Sequence, residues 1–334
     1  MTATRAVASY PAPSFTHLRR LTDAGGIYEH ALGTVPRREH GYCVDDVARG
    51  LVVLAREDAP DLAVLRGELL AFVLAAQAED GRFRNRRDAE LRWTDAPSVE
   101  DCWGRALWGL GAVCADQGAL AAFTRGAAWR SPWSRATAFA GLGAAAVLAL
   151  HPDHEPARDL LADAARTVRD TGVDTGWPWP EPRLTYANAA VPEVLIAAGV
   201  ALDEPALLTE GLALLGWLLD VQLRDGVLSV VPVGGRGPQD ADVAAFDQQP
   251  IEVAALADAC ARAYDLTGTQ RWAQGIAVCA GWFLGDNDAR TPLLDPVSGG
   301  GCDGLERHGR NDNQGAESTL AAVSTLQQAR ALLP

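Results

Sequence analysis

The sequence predicts an all-α protein, an (α/α)6 toroid in which six outer helices surround six inner helices, with short β-hairpins at the rim. Three observations support this fold class. The composition is 48% hydrophobic and dominated by Ala and Leu, and β-branched or aromatic runs bounded by turns are few. Six segments begin with polar residues and continue as nearly all-apolar helices. More amphipathic segments alternate with them, as outer helices would.

Each inner segment is apolar on almost every side after its first turn, as a helix surrounded by other helices must be. The inner segments begin at Tyr42, Ser98, Ser131, Thr185, Phe246 and Asn311. The outer segments carry acids and Arg on one face and Leu, Ala or Trp on the other. They span residues 14–24, 60–78, 116–129, 156–170, 205–222 and 270–284. Consecutive helical hairpins of this kind close into a toroid, and we expect residues 1–334 to form a single domain.

Two outer segments end alike, with Gln, then Asp-Gly, then a short β-type run. They are LAAQAEDGRF (Leu74–Phe83) and LLDVQLRDGVLSV (Leu218–Val230). Because Asp-Gly is a turn signal, each of them predicts a small hairpin at the rim.

The inner helices of a toroid point their N-termini toward one opening, which we call the mouth. Some polar residues there are caps, because a helix N-terminus leaves backbone N–H groups unpaired. We expect capping by Ser98 with Asp101 at the third position, by Ser131 before Pro132, and by Gln249 before Pro250 with Glu252 at the third position.

Other polar residues exceed what capping needs. Asp45-Asp46 places two acids where one suffices, and like charges in one mouth raise at least one pKa, which prepares a carboxyl for proton transfer. The candidate catalytic carboxylates are Asp46, Asp247 and Glu317, with Glu100 in reserve. The candidates for holding ligand hydroxyl groups are Asp45, Arg49, Asp101, Arg105, Asn188, Gln248, Asn313 and Gln314.

Tryptophan supplies a further signal in a chain that is otherwise poor in aromatic residues. Trp133, Trp177 and Trp179 lie in loops or first turns at the mouth, where an indole can cover the apolar face of a sugar ring. Glu181 lies beside two of them in WPWPEPRLTYAN. We therefore expect a carbohydrate platform there, with a Pro/Trp packing lid as the alternative.

Composition excludes several functions. All 29 basic residues are Arg, so a Lys Schiff base, a Walker A loop and a Lys nucleophile are ruled out. A net charge of −14 repels nucleic acid, and no apolar run is long enough to span a membrane. The six cysteines form no CxxC pair, and we expect them to be reduced. We also expect neither a metal nor a cofactor. Because the N-terminus has no apolar signal region, we expect a cytoplasmic location.

Several segments, in order along nearly the whole chain, resemble a known family. They are LTDAGGIYEHALGTVPRREHGYCVDDVARGL, EDCWGRALWGLG, WPWPEPRLTYANAAVPEVLIAAG, FDQQPIEVAALADA, GWFLGDND and NDNQGAESTLA. They resemble toroidal helical domains encoded with, or fused to, bacterial glycosyltransferases, and more distantly (α/α)6 glycoside hydrolases. The chain departs from the family pattern at Val47, where the pattern has Asn, and at Pro180, where it has Phe. The resemblance implies a carbohydrate-active function, with a glycosyltransferase as a candidate partner.

Three functions fit these observations. The first is an inverting glycoside hydrolase with two carboxylates on different inner helices. The second is a glycan-binding or scaffold module serving a glycosyltransferase. The third is a sugar epimerase or isomerase that uses His40 and His308 as acid and base.

Overall fold

The structure, a computed structural model, describes residues 10–169 and 177–332. Twelve α-helices lie in these residues. The inner helices are α2 (Val44–Ala55), α4 (Asp101–Ala112), α6 (Ser134–Leu150), α8 (Ala190–Ala201), α10 (Pro250–Thr267) and α12 (Ala316–Ala331). The outer helices are α1 (Thr16–Leu21), α3 (Pro60–Ala76), α5 (Gln117–Gly126), α7 (Glu155–Arg169), α9 (Pro205–Gln222) and α11 (Gln270–Leu284).

The inner helices form a closed ring. Each packs against the next inner helix along the chain, and α12 returns to contact α2. The outer helices α3, α5, α7, α9 and α11 each contact the inner helix that precedes them, and α1 contacts α12. The predicted all-α (α/α)6 toroid is therefore confirmed. The prediction of a single domain over residues 1–334 stays a prediction, and its residues 1–9, 170–176 and 333–334 lie outside the described part.

Glycine allows the closest approach between two inner helices. A Cβ atom on Gly143 of α6 would lie 2.2 Å from the Leu107 backbone oxygen of α4. A Cβ on Gly104 of α4 would lie 2.1 Å from the Ala136 backbone oxygen of α6. Any larger side chain at these positions would push the two backbones apart.

The helix starts at the mouth agree only in part with the capping predictions. For α10 only the positions are correct: Gln249 is the N-cap residue and Pro250 begins the helix, but the Gln249 side chain makes no cap hydrogen bond. The prediction is wrong for α4, whose N-cap is Glu100, because the Ser98 hydroxyl accepts from the Glu100 N–H (3.3 Å) in a turn before the helix. It is wrong in the same way for α6, because Ser131 accepts from the Trp133 N–H (3.2 Å) and Trp133 is the N-cap.

Short two-stranded pairings decorate the rim. The predicted hairpin at Asp225-Gly226 is present as β7 with β8, and an isolated bridge joins Gln77 to Phe83 around Asp80-Gly81. The strands are β1 (Thr22–Asp23), β2 (Gly26–Ile27), β3 (Ala31–Leu32), β4 (Val35–Pro36), β5 (Tyr42–Cys43), β6 (Arg86–Arg87), β7 (Leu223–Arg224), β8 (Val227–Leu228), β9 (Gly304–Glu306) and β10 (Gly309–Asn311).

The cysteines are unpaired, as the sequence predicts. All six are buried as free thiols. Within the described ranges, no helix combines the length and apolar character needed to cross a membrane.

We predict that Gly143→Ala lowers the free energy of unfolding by about 1–3 kcal/mol, because the added methyl group meets backbone atoms of α4. Gly67→Ala in the outer helix α3 is the matched control. A Cβ there has no neighbour within 4 Å, so better helix propensity should raise stability by about 0.5–1 kcal/mol. Urea unfolding of both variants measures the difference. Equal effects of the two substitutions would contradict the close approach of α4 and α6.

Candidate active site

A cavity of about 270 Å³ opens at the mouth between the starts of α2 and α12. Its walls come from residues far apart in sequence. They are Glu29, His30, Cys43, Asp45, Asp46, Arg49, Gln249, Asp303, Gly315, Glu317 and Ser318. Two candidate catalytic acids, Asp46 and Glu317, therefore face the same space.

Arg49 joins these two acids. Its Nη1 donates to Asp46 Oδ1 at 2.6 Å, and its Nη2 donates to Glu317 Oε2 at 2.5 Å. Asp46 and Arg49 lie one turn apart on α2, so the helix itself brings them together. Glu317 lies in the first turn of α12. We call these three residues the Asp46–Arg49–Glu317 cluster.

The two carboxyl groups have unlike surroundings. The Asp46 side chain is 3% exposed and accepts from the Cys43 thiol at 3.0 Å, whereas the Glu317 side chain is 37% exposed. Burial raises the pKa of Asp46 to about 7, although the positive charge of Arg49 opposes the rise; the charge of Glu317 adds to it. One acid is thus prepared to hold a proton at neutral pH beside a second acid that is open to solvent.

Asp45 turns away from this cluster. Its Oδ2 accepts from Asn85 Nδ2 at 2.9 Å, and the Asn85 backbone oxygen accepts from the Val44 N–H at 3.0 Å. The other oxygen, Oδ1, is buried and has no hydrogen-bond partner among the described residues. Asp45 nevertheless contributes to the cavity wall.

A second polar cluster joins the starts of α6, α8 and α10, and we call it the Arg135–Asn188–Glu252 network. Arg135 Nη2 donates to Asn188 Oδ1 at 3.0 Å, and Asn188 Nδ2 donates to Glu252 Oε2 at 2.8 Å. Glu252 also accepts from the backbone N–H groups of Ala187 and Asn188. Burial raises the pKa of Glu252 to about 7, and the hydrogen bonds from Asn188 oppose the rise.

The sequence reasoning missed two members of this network as site residues. The sequence predicts that Gln249 and Glu252 cap α10. The Gln249 side chain makes no cap hydrogen bond, and the Glu252 carboxylate contacts α8 instead. Arg135 had no assigned role. The signal that could have found it was a charged residue in the second position of an otherwise apolar inner helix.

The tryptophan segment is tied to the same network. Arg135 Nη2 donates to Glu181 Oε2 at 2.8 Å, and Trp177 Nε1 donates to the Glu181 backbone oxygen at 2.8 Å. Trp179 is buried, with its ring stacked at 6.0 Å on Trp217. Trp133, by contrast, is 57% exposed. Of the three candidate tryptophans, Trp133 has the face most open to a ligand.

The mouth residues of α4 differ in their surroundings. Glu100 is exposed, and Asp101 accepts from the Tyr186 hydroxyl. Arg105 is buried, with its guanidinium carbon 3.9 Å from the centre of the Phe139 ring. Burial lowers the pKa of Arg105 to about 10, and the charge of Arg49 contributes in the same direction.

Four other candidates lie outside the cavity walls. Asp247 is exposed. Gln248 is buried, where its Nε2 donates to Asp288 at 2.6 Å and its Oε1 accepts from Trp282 at 3.1 Å. The Asn313 and Gln314 side chains are likewise engaged: Gly33 donates to Asn313 Oδ1 (3.0 Å), and Ser298 donates to Gln314 Oε1 (2.6 Å). These amides fasten rim loops, so a role in holding a ligand would require them to leave those partners.

The two histidines of the epimerase hypothesis, His40 and His308, have different surroundings. His308 is exposed in the turn between β9 and β10. His40 contacts His30 instead, with their Nδ1 atoms 3.0 Å apart, and His30 lines the cavity. The structure therefore pairs His40 with a histidine that the sequence reasoning did not select.

One group of side chains in the described ranges has the spacing of metal ligands. The ligand atoms of Glu29, Cys43 and Asp46 all lie within 4.8 Å of one another. However, Arg86 donates to Glu29, and Arg49 donates to Asp46. A cation would have to displace two guanidinium groups, so these residues are a poor fit to a metal.

Comparison with solved structures shows the same fold at low sequence identity. A D-mannose isomerase superposes with a TM-score of 0.73 at 10% identity, over 97% of this chain and 100% of that one. A sugar epimerase from a ruminal bacterium gives 0.68 at 14% identity, over 96% of both chains. These superpositions show that the chain shares its fold with both proteins. An inactive variant of the alpha-1,6-mannanase of Salegentibacter sp. HEL1_6, in complex with alpha-1,6-mannotetrose, gives 0.68 at 11% identity, over 95% and 96%.

No protein-family model matches the chain, and no curated protein matches it.

We predict that Asp46→Asn flattens the pH dependence of stability between about pH 4 and pH 7. The Asp46 carboxyl binds its proton more tightly in the folded than in the unfolded chain, so the free energy of unfolding falls as the pH rises through this window. In the unsubstituted chain, Asp46 should lower the free energy of unfolding by up to about 1.4 kcal/mol per pH unit across this window, and the variant should lack this contribution. Urea unfolding at several pH values measures it, with the 74%-exposed Asp61 as control in Asp61→Asn. Parallel curves for Asp46→Asn and the unsubstituted chain would contradict the burial argument.

Proposed function

We propose that the protein is a carbohydrate-active enzyme, and that it is an inverting glycoside hydrolase acting on an oligosaccharide or polysaccharide. The observation that carries the proposal is the Asp46–Arg49–Glu317 cluster, in which two acids on different inner helices face one cavity in unlike surroundings. Hydrolysis of a glycosidic bond needs such a pair, one protonated and one ionised.

The unlike surroundings of the two acids support the following roles. Asp46, whose burial raises its pKa to about 7, gives its proton to the glycosidic oxygen as the bond to the anomeric carbon breaks. Glu317, the more exposed acid, takes a proton from water as the water oxygen bonds to that carbon on the opposite face. Asp46 ends ionised and Glu317 protonated, and exchange with solvent restores both.

Arg49 is a positioning residue in this proposal. It donates a hydrogen bond to each carboxyl group and so fixes the two acids relative to each other. When Asp46 gives up its proton, the same guanidinium stabilises the carboxylate that forms.

The comparisons support a carbohydrate substrate without selecting a reaction, since the structures with this fold include a mannanase, an epimerase and an isomerase by name. The mannanase variant is inactive with two consecutive aspartates replaced. Asp45 and Asp46 are consecutive aspartates that line the cavity of this chain. This parallel favours the hydrolase over the other reactions.

A sugar epimerase or isomerase is the second candidate, and the His30–His40 pair at the cavity favours it. Two imidazoles can remove and return a proton next to a sugar carbonyl. In this alternative His30 replaces His308 as the partner of His40. A glycosyltransferase partner and a cytoplasmic location stay predictions from the sequence.

We predict that mannose-, glucose- or galactose-based oligosaccharides are cleaved by the unsubstituted chain, with inversion at the anomeric carbon. Asp46→Asn and Glu317→Gln should each lower kcat by about 10²–10⁴-fold while sugar binding persists. Asp247→Asn is the control, since that exposed acid lies outside the cavity walls. NMR of the released sugar reports its anomeric configuration.

The outcomes separate the candidates. Retention of configuration would contradict the inverting mechanism, and loss of activity in Asp247→Asn alone would move the site elsewhere. Interconversion of a reducing sugar without cleavage, abolished by His40→Ala, would establish the epimerase. Binding without any turnover would establish the scaffold or glycan-binding module.

A further inference from the structure

A second, smaller cavity lies inside the ring of inner helices. Its volume is about 30 Å³, and Arg49 lines both this cavity and the one at the mouth. Most of its wall is apolar, with Val52, Trp108, Phe139, Ile251 and Leu320 among the lining residues. Two arginines, Arg49 and Arg105, enter this apolar wall.

Each of these two lining arginines has an unsatisfied donor. Arg49 Nε and Arg105 Nη1 are buried and have no hydrogen-bond acceptor among the described residues. Arg105 is 2% exposed and forms no ion pair within those residues; the contact that the structure gives its guanidinium is the Phe139 ring. A buried charged donor without an acceptor is strongly unfavourable, so an acceptor is expected here.

The acids of the cavity wall do not supply it. Glu193 accepts from Arg262 at 3.1 Å, and Asp258 pairs with Arg56 at 3.0 Å. The hydroxyl of Ser324, the remaining polar group in the wall, donates to Asp258 at 3.0 Å.

The mouth acids do not supply it either. Asp46 and Glu317 are held by the two terminal nitrogens of Arg49, which leaves its Nε free. Asp45, Glu317 and Asp101 act on Arg105 through their charges, and the structure gives no hydrogen bond between them and Arg105.

The size of the cavity limits what the acceptor can be. A space of about 30 Å³ exceeds the 10–15 Å³ or so that one water needs, and it is too small for a sugar or a polyatomic acid. The apolar wall weakens dielectric screening, which strengthens attraction between a guanidinium and an anion.

We propose that this cavity binds a monatomic anion of the halide class, held by Arg49 Nε–H and Arg105 Nη1–H. Chloride is the member of this class that solutions ordinarily supply. The bound anion would also fix the guanidinium of Arg49 from below, while Asp46 and Glu317 hold it from above. The proposal requires no carbohydrate chemistry, so it stands or falls separately from the proposed function.

Bromide soaked into crystals of the full chain tests the site directly. An anomalous peak within about 3.5 Å of both Arg49 Nε and Arg105 Nη1 is the expected result. Water alone in the cavity, without an anomalous peak at high bromide concentration, would overturn the proposal.

Thermal unfolding tests the same site in solution. Potassium chloride or bromide should raise Tm by a few °C over potassium methanesulfonate at equal ionic strength, with a saturable dependence on halide concentration. Arg105→Met should abolish this shift, whereas the 72%-exposed Arg92 makes a matched control in Arg92→Met, which should keep it. A shift of equal size in both variants would overturn the proposal.

A second variant keeps the test decisive if Arg105→Met fails to fold. Ala255 lines the cavity, and Ala255→Val would fill part of it while leaving both arginines in the sequence. The halide-dependent rise in Tm should disappear in this variant, and its persistence would contradict the assigned location.

Discussion

The two hydrogen bonds of the Arg49 guanidinium hold the residues of the mouth together. The guanidinium binds Asp46 on its own helix and Glu317 on α12, which lie 271 positions apart in the sequence, and it thereby links the first inner helix to the last. The ring of inner helices closes at this point. One guanidinium is shared by the two acids, so the contact that closes the ring also holds the candidate acid and base together.

Position along the helices explains why the two acids differ. Asp46 is the third residue of α2, below the mouth surface and against Cys43, so burial favours its neutral form. Glu317 is the second residue of α12, where the helix begins at the cavity and water reaches the side chain. The Arg49 contact therefore joins one buried acid to one acid that water reaches.

The sequence predicted the repeat of inner and outer helices because the apolar pattern of each helix is local. It also brought together Asp46, Arg49 and Glu317, since equivalent positions at the starts of inner helices meet in a closed ring. It could not predict side-chain direction within a loop. Gln248 and Gln314 look like surplus polar groups in the sequence, but both turn inward to fasten the rim. In the sequence Glu252 resembles a capping residue. Its bond to Asn188 could not be predicted because it depends on how α8 and α10 pack.

We propose above all that a sugar linkage binds between Asp46 and Glu317, above Arg49. The most direct test is a crystal structure of Glu317→Gln with an oligosaccharide that the unsubstituted chain turns over. The account predicts the glycosidic oxygen within hydrogen-bond distance of the Asp46 carboxyl. An oligosaccharide bound with its linkages away from Asp46, for example against Trp133 alone, would contradict it.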